Sequence, residues 1–522
     1  MTAVAERVAD GQSRPAHARV NWMVPPGLYP AAFAFACALA FLVVRPPVGD
    51  LWAARARQSA VAHGVGLTYW FSWFGGGSTP GNYSVLTPFV SAVFGAALLG
   101  ALATAAITVL CWQLVQGSRY PLAATWAATF TAGFSLWSGR IPFALGTAIS
   151  IAALIGVREQ RRWRAIICTA LAVLVSPVSG ALIALGLTGT FLVSRSHRVI
   201  SALTILTAAF TLVVLAGIFG VPGPEGFDAK QALAVTLGLL LLLLARPPKY
   251  LTVVILLSVA VCPVLLVVPN GMGSNFVRFV WIWLPVAVIA TAGRRLATAV
   301  LASALAVCAG ALGTMRDLAV ARAPMSSPSY YAPLATELDT LAALTTYRLE
   351  VVSDGSHTAA YALLGHAMLA RGYETQTDNI LNPVLTSRVH LNATTFKIWL
   401  DDNAVGYLAI GKTSLHPNPE YTLVAAGKPP YLRVIWSSSN WTLYRVASPT
   451  PIVSKPARIT DADQASMTIE IAYPGSIPIR VRWSKFLTAD GPGHSRAVRL
   501  TADAAGWTIL AAPLAGQYVL HG

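Results

Sequence analysis

Residues Arg45–Pro88 read RPPVGDLWAARARQSAVAHGVGLTYWFSWFGGGSTPGNYSVLTP. The stretch follows the first strongly apolar run and holds Asp50, the only acidic residue between Asp10 and Glu159. An ionisable group beside a bilayer is costly, and where one persists it usually marks a functional site. Arg55, Arg57 and His63 stand close to it in sequence and widen the candidate site. Asp50 also precedes Leu51 and an alanine-rich run, where Asp is a favoured helix N-cap. Capping and chemistry are compatible, so both stand as expectations.

Composition decides the class. Of 522 residues, 55% are hydrophobic and 11% charged, against roughly a quarter charged in soluble proteins. The chain therefore reads as an integral membrane protein. The net charge of +16 would suit nucleic acid, but the arginines of the first 300 or so residues lie mostly in short gaps between apolar runs. That pattern sets membrane topology and predicts no nucleic-acid partner. All five cysteines fall in apolar segments, none follows Cys308, and no CxxC or Cys/His metal spacing occurs. Residues 1–25 form a polar tail of mixed charge without a cleavable signal, so the first span is expected to remain as an anchor.

A spanning helix needs about 20 apolar residues. On that basis spans are predicted at 26–44, 84–115 (overlong, hence tilted), 120–137, 141–157, 200–219, 232–245, 250–268, 276–292 and 296–313. Residues 165–193 contain Ser176-Pro177 and read as either one long span or a hairpin. The hairpin is preferred, because it puts the basic gaps at 158–164 and 195–198 on one side. Eleven crossings result. The N-terminus is then cytoplasmic, and the Asp50 loop and everything after Thr314 extracytoplasmic. The expected division is a tail (1–25), a transmembrane domain (26–316), an α/β domain (317–447) and a β-sandwich region (448–522).

Under this topology Arg45, Arg55, Arg57, Arg140 and Arg278 lie at the outer face, against the charge rule. Guanidinium groups grip phosphate oxygens bidentately, whereas the plainer reading has each one snorkel to headgroups. Tyr69, Trp70 and Trp73 read as an interfacial belt or as stacking surfaces for a sugar or lipid chain. Gly75-Gly76-Gly77 reads as a mobile turn with no nucleotide-loop frame around it. In the C-terminal half, 333–346 and 357–371 are predicted helices and 348–353 and 405–410 buried strands. Strands at 467–472, 477–483 and 507–510 follow.

Val48-Gly-Asp50-Leu-Trp resembles the acidic motif that GT-C membrane glycosyltransferases place after their first span. Ser138-Gly-Arg-Ile-Pro-Phe-Ala-Leu-Gly146, Ser176-Pro-Val-Ser-Gly180 and Asn275-Phe-Val-Arg278-Phe resemble landmarks of actinobacterial membrane proteins described as related to 6-pyruvoyl-tetrahydropterin synthase. Tyr330-Tyr-Ala-Pro-Leu and Leu369-Ala-Arg-Gly-Tyr-Glu-Thr-Gln-Thr-Asp378 resemble the outer domain of that group. The resemblance implies a multi-pass protein of the plasma membrane. It also implies a polyprenyl-phosphate sugar donor and inverting transfer to a cell-envelope glycan or lipid acceptor on the outer face. Asp50 would be the general base. Arg55, Arg57, Arg140 and Arg278 would steady the departing phosphate, and His63, Asn275 and the loop aromatics would bind substrate.

One departure stands out: many members carry two acids in this loop and this chain has one. A metal site made from the loop alone is therefore not supported by a paired-acid motif, so no cofactor is assigned, a divalent ion stays open, and so does an inactive member of the family. Two other classes remain open, a transporter or flippase and a non-catalytic envelope-assembly scaffold. Few acids within the spans and no internal repeat make the first of these the weaker fit.

Overall fold

The computed structural model describes residues 25–522 except 78, 222, 353–354, 387–389, 416 and 493–497, and the expected N-terminal tail lies almost wholly outside the described residues. The first part is helical: α1 (Leu28–Val44), α2 (Gly49–Ala62), α3 (Thr87–Phe94), α4 (Ala96–Val115), α5 (Pro121–Trp137), α6 (Ile141–Arg158), α7 (Arg162–Val175), α8 (Pro177–Val193), α9 (Arg198–Phe219), α10 (Ala229–Leu243), α11 (Lys249–Val267), α12 (Leu284–Thr291) and α13 (Leu296–Ala321). α6 forms the centre, packed on α4 and α7, and its buried small residues include Gly156, which meets Ala165 of α7, and Gly146, which meets Ser176 and Ser179 at the start of α8. Small residues on that face let helices approach closely without a hydrophobic drive between them. α9 and α13 lie at the periphery, with only 28% and 22% of their apolar windows buried.

Five of these helices, α4, α6, α9, α11 and α13, together with the helical stretch Gly273–Thr291 that ends in α12, are long and apolar enough to cross a membrane, which makes six, or seven if α1 and α2, bent by 73°, count as one. The expected eleven crossings are not reached on that measure. α7 and α10, at 14 and 15 residues, extend only about 21–23 Å at 1.5 Å per residue, short of a core about 30 Å thick. The overlong span at 84–115 is likewise two helices, broken at Gly95, whose φ of 84° and ψ of 136° leave helical space. Residues 165–193 are two helices broken at Ser176. The Gln160 amide donates to Ser196 O at 3.4 Å, which brings the two basic gaps to one end as the hairpin requires. Arg158 donates to Gln113 O and Leu114 O, and Tyr120 Oη to Gly293 O, at that same end.

The opposite end carries the C-terminal cap, and α13 runs through the expected boundary at 316 into it. A mixed sheet of order β1-β2-β4-β3 is built from β1 (Arg348–Val351), β2 (Val405–Gly411), β3 (Leu432–Ser437) and β4 (Trp441–Val446), with β1 and β2 parallel. β2 is buried along its whole length, as a central strand reading VGYLAIG should be. The helix predicted at 357–371 is reduced to Ala359–Ala362. Leu349 N donates to Met368 O and Ala370 N to Leu349 O, so the far end of the segment is drawn to the sheet edge. Two further sheets follow, β5-β6-β11-β8 and β7-β10-β9, formed by β5 (Ala457–Ala462), β6 (Ser466–Ile471), β7 (Gly475–Arg482), β8 (Thr488–Asp490), β9 (Leu500–Ala502), β10 (Trp507–Ala512) and β11 (Gly516–His521). β6 buries Met467, Ile469 and Ile471 at period two against Ile479, Val481 and Leu510 of the other sheet.

Candidate functional site

The first loop packs against both the bundle and the cap. α2 starts at Gly49 with Val48 as its cap residue and no side-chain cap bond, so Asp50 lies inside the first turn instead of capping it. The helix dipole still favours a carboxylate there. Asp50 Oδ1 accepts a hydrogen bond of 2.6 Å from the Tyr373 hydroxyl, and Oδ2 lies 3.5 Å from Arg140 Nε. Gly139 makes the second contact possible. It turns the chain between α5 and α6 at φ 77°, and a Cβ there would lie 2.5 Å from Leu51 N. Arg140 also pairs with Asp317 Oδ2 at 3.3 Å, and Ser138 Oγ lies 3.0 Å from Thr314 Oγ1, tying α13 to the same turn.

A cavity of about 610 Å³ opens beside Asp50. Its polar part includes Arg57, Tyr83, Glu225, Asn275, Arg278 and Glu374. Its apolar wall includes Val178 and Ala181 of α8 and Leu212, Val213, Leu215 and Ala216 of α9. Val213 is 70% exposed as well, so this wall reaches the outer surface of the bundle. The Arg278 guanidinium lies 4.9 Å above the Phe143 ring, an arrangement that holds a cation without consuming its hydrogen bonds. Arg57 is buried and donates to Pro80 O, which fixes the turn that presents Tyr83. Tyr83 is 51% exposed and lines the cavity. The surrounding protein and the Asp50 charge nevertheless push its phenol up to about 12. Among the described residues, no three or more His, Cys, Asp or Glu side chains are grouped to hold a metal ion.

The cap contributes one wall. Tyr373, Glu374, Thr375, Gln376 and Thr377 line the cavity, and Gln376 Nε2 donates to Gly271 O at 3.2 Å. The arm is rooted in a buried cluster. Arg371 donates to Glu350 Oε1 and Glu420 Oε2 at 2.5 Å each and to Asp378 Oδ2 at 3.3 Å. Glu350 and Glu420 are wholly buried. Burial pushes Glu350 well above the usual carboxylate range, against the pull of Arg371 and with Glu420 adding to the rise; Glu420 moves the same way. Burial and the Asp50 charge likewise raise the Tyr373 phenol, keeping it a hydrogen-bond donor.

Of the residues expected from sequence, Asp50, Arg57, Trp73, Asn275 and Arg278 line this cavity, and Arg140 stands behind Asp50. Four others are placed elsewhere. Arg55 lies over the Trp52 ring at 4.8 Å, and His63 Nδ1 lies 2.7 Å from Ser59 O at the end of its own helix. Tyr69 is packed in the sandwich core with its hydroxyl on Arg482 O. Trp70 is buried, bonded to Gln464 Oε1 and stacked on Trp73 at 4.1 Å. The aromatics thus pack the cap onto the loop instead of forming an interfacial belt. The start of the triple glycine is bonded to the cap: Gly75 O accepts from Arg348 and from Arg482 N, and Phe74 O accepts from Arg482 Nε.

Sequence reading missed Tyr83, Glu225, Asp317, Tyr373 and Glu374. Only the 369–378 motif carried a signal, and it pointed to the outer domain without assigning a residue.

No protein family matches the sequence, and no curated protein is similar to it at a significant level. Single-particle cryo-EM structures of the arabinofuranosyltransferase AftD from Mycobacteria are similar at 12% identity and a TM-score of 0.47. Two structural classes of a mutant of that protein give 12% and 13% identity with TM-scores of 0.45 and 0.46. Each match covers 95% of this chain and 57–59% of the other, so the chain spans less than two thirds of that protein's length.

Proposed function

We propose that this chain is a membrane glycosyltransferase that moves a sugar from a polyprenyl-phosphate donor to a cell-envelope acceptor. One observation carries the reading. A single cavity places a half-exposed carboxylate and two guanidinium groups at its polar end and continues into an apolar wall that reaches the outer surface of the bundle at Val213. That division suits an amphiphile with an anionic head, delivered sideways from the bilayer.

In this reading the phosphate sits against Arg278 and Arg57, and the sugar lies between it and Asp50. The acceptor hydroxyl attacks the anomeric carbon from the Asp50 side and gives its proton to the carboxylate. The C–O bond to phosphate breaks, its electron pair leaves on the phosphate, and the anomeric configuration inverts. The arginines stabilise the charge as it develops. The basic gaps gather at the end opposite the cap, so the positive-inside rule supports an extracytoplasmic cap at the plasma membrane. Farnesyl phosphate binding to the full chain in nanodiscs, read by native mass spectrometry, tests the assignment. Arg278→Gln is expected to weaken binding at least roughly tenfold, the loss of one charge-assisted contact, while Arg55→Gln leaves it unchanged. Equal affinity in all three proteins rejects the reading.

A further inference from the structure

Glu225 is a carboxylate of the cavity lining that the transfer step leaves unused. It lies in the connection from α9 to α10 and is clamped to the connection that follows α11. Glu225 N donates to Asn270 O at 2.8 Å, and Ser274 N to Gly226 O at 2.9 Å. The clamp needs glycine at 273, where φ is 39° and a Cβ would collide with Glu225 O. Asn270 Oδ1 accepts from Met272 N at 3.0 Å and Gly273 N at 2.8 Å, which holds the second connection in its own turn. Within this frame Glu225 Oε1 accepts the Ser274 hydroxyl at 2.7 Å, so the carboxylate is fixed before any ligand arrives. Its Oε2 has no hydrogen-bond or ion-pair partner among the described residues.

A carboxylate accepts hydrogen bonds and donates none, and phosphate oxygens likewise seek donors. The phosphate therefore belongs with Arg278 and Arg57, and whatever lies against Glu225 must bring donors of its own. A metal ion is the other partner an open carboxylate oxygen could take, but among the described residues no three His, Cys, Asp or Glu side chains are grouped to hold one. Hydroxyl groups are the donors that a sugar offers.

We propose that Glu225 reads a hydroxyl of the donor sugar through Oε2, and that its charge turns away sugars carrying an acid group, such as a uronic acid. The inference rests on the transferase reading above and assigns a specificity residue to it. A site built to bond a substrate hydroxyl rejects a ligand that cannot supply one, because the fixed polar group is then left unpaired. Like charge adds a second, repulsive ground for discrimination.

The test reads binding by native mass spectrometry of the full chain in nanodiscs, which needs no acceptor. The probes are bare farnesyl phosphate and farnesyl phosphate linked to arabinofuranose, mannose, glucose or glucuronic acid. In the wild type at least one neutral sugar should tighten binding over the bare phosphate, and glucuronic acid should bind roughly tenfold more weakly than glucose. Glu225→Gln can keep the Ser274 bond while losing the charge. It should cut the gain from the neutral sugar roughly tenfold, the scale of one hydrogen bond to a charged group. It should also bring glucuronic acid level with glucose, and bind bare farnesyl phosphate at least as tightly as the wild type. Glu225→Asp withdraws the carboxylate by one methylene, and should lose the gain while still discriminating against glucuronic acid. A Glu225→Gln protein that keeps the wild-type gain, or that weakens bare farnesyl phosphate by the same factor, overturns the assignment of Glu225 alone, as does a wild type that gains nothing from any sugar. If Arg278→Gln binds bare farnesyl phosphate as the wild type does, the transferase reading falls and this inference with it.

Discussion

Arg140 and Arg371 each hold more than one carboxylate, yet the two clusters are built in opposite ways. The Asp50–Arg140–Asp317 set joins side chains 24–38% exposed at distances of 3.3–3.5 Å, beside a large cavity. The Glu350–Arg371–Glu420 set is 0–10% exposed and bonded at 2.5 Å, with no opening of its own in the cavity lining. Loose, half-solvated charges can change partners during a reaction; tight, dry ones cannot without unfolding their surroundings. The first cluster therefore suits chemistry, and the second suits anchorage of the arm that brings Tyr373 and Glu374 to the first.

The contrast is sharpest in the arginine substitutions. Arg371→Ala strands two buried carboxylates and should cost about 3–5 kcal/mol of stability, read by thermal unfolding of the full chain. Arg140→Gln removes half-exposed pairs and should cost less than about 1 kcal/mol, while lowering transfer roughly a hundredfold through loss of electrostatic support at the site. If the two swapped effects, the division of labour would fail.

Protonation separates the clusters again. Glu350 and Glu420 sit above their ordinary value when folded, so between the unfolded and folded values the folded cap binds more protons. Their stabilising contribution is full below about pH 4.3 and is lost as pH rises through the raised folded value. Hydrogen exchange of residues 371–378 should accelerate as pH rises, after correction for the intrinsic rate, and Glu350→Gln should flatten that slope. The smallest effect belongs to Tyr83→Phe, which removes one hydroxyl from a residue that lines the cavity. It should raise KM about two- to tenfold, the worth of one hydrogen bond, with the unfolding temperature unmoved.

Much of this was legible along the chain and some was not, for physical reasons. Apolar runs located the helices, and an isolated carboxylate among arginines drew attention to Asp50, because burying a charge near lipid is too costly to be casual. Arg278 was legible as a basic group at the outer face against the charge rule, and Asn275 only through the motif at 275–279 that resembles a family landmark. Helix ends were less so: Gly95 interrupts 84–115 through backbone geometry that hydropathy does not register. The aromatic loop misled because a belt residue and a packing residue are both amphipathic rings, and only the sandwich at 457–521 shows which Tyr69 is. Tyr373 and Asp317 stand hundreds of residues from Asp50, and no local pattern encodes a meeting made by tertiary packing. A second carboxylate does stand near Asp50, but Asp317 comes from α13 and shares the Arg140 guanidinium.

Replacing Asp50 with Asn in the native host, with protein level held at wild type, tests the central claim most directly through envelope glycan composition and the pool of lipid-linked sugar. The account predicts a truncated or missing glycan and an accumulated polyprenyl-phosphate sugar, with transfer down by about 10²–10⁴-fold. Unchanged glycans and an unchanged lipid-linked pool in a stably expressed Asp50→Asn protein would contradict it.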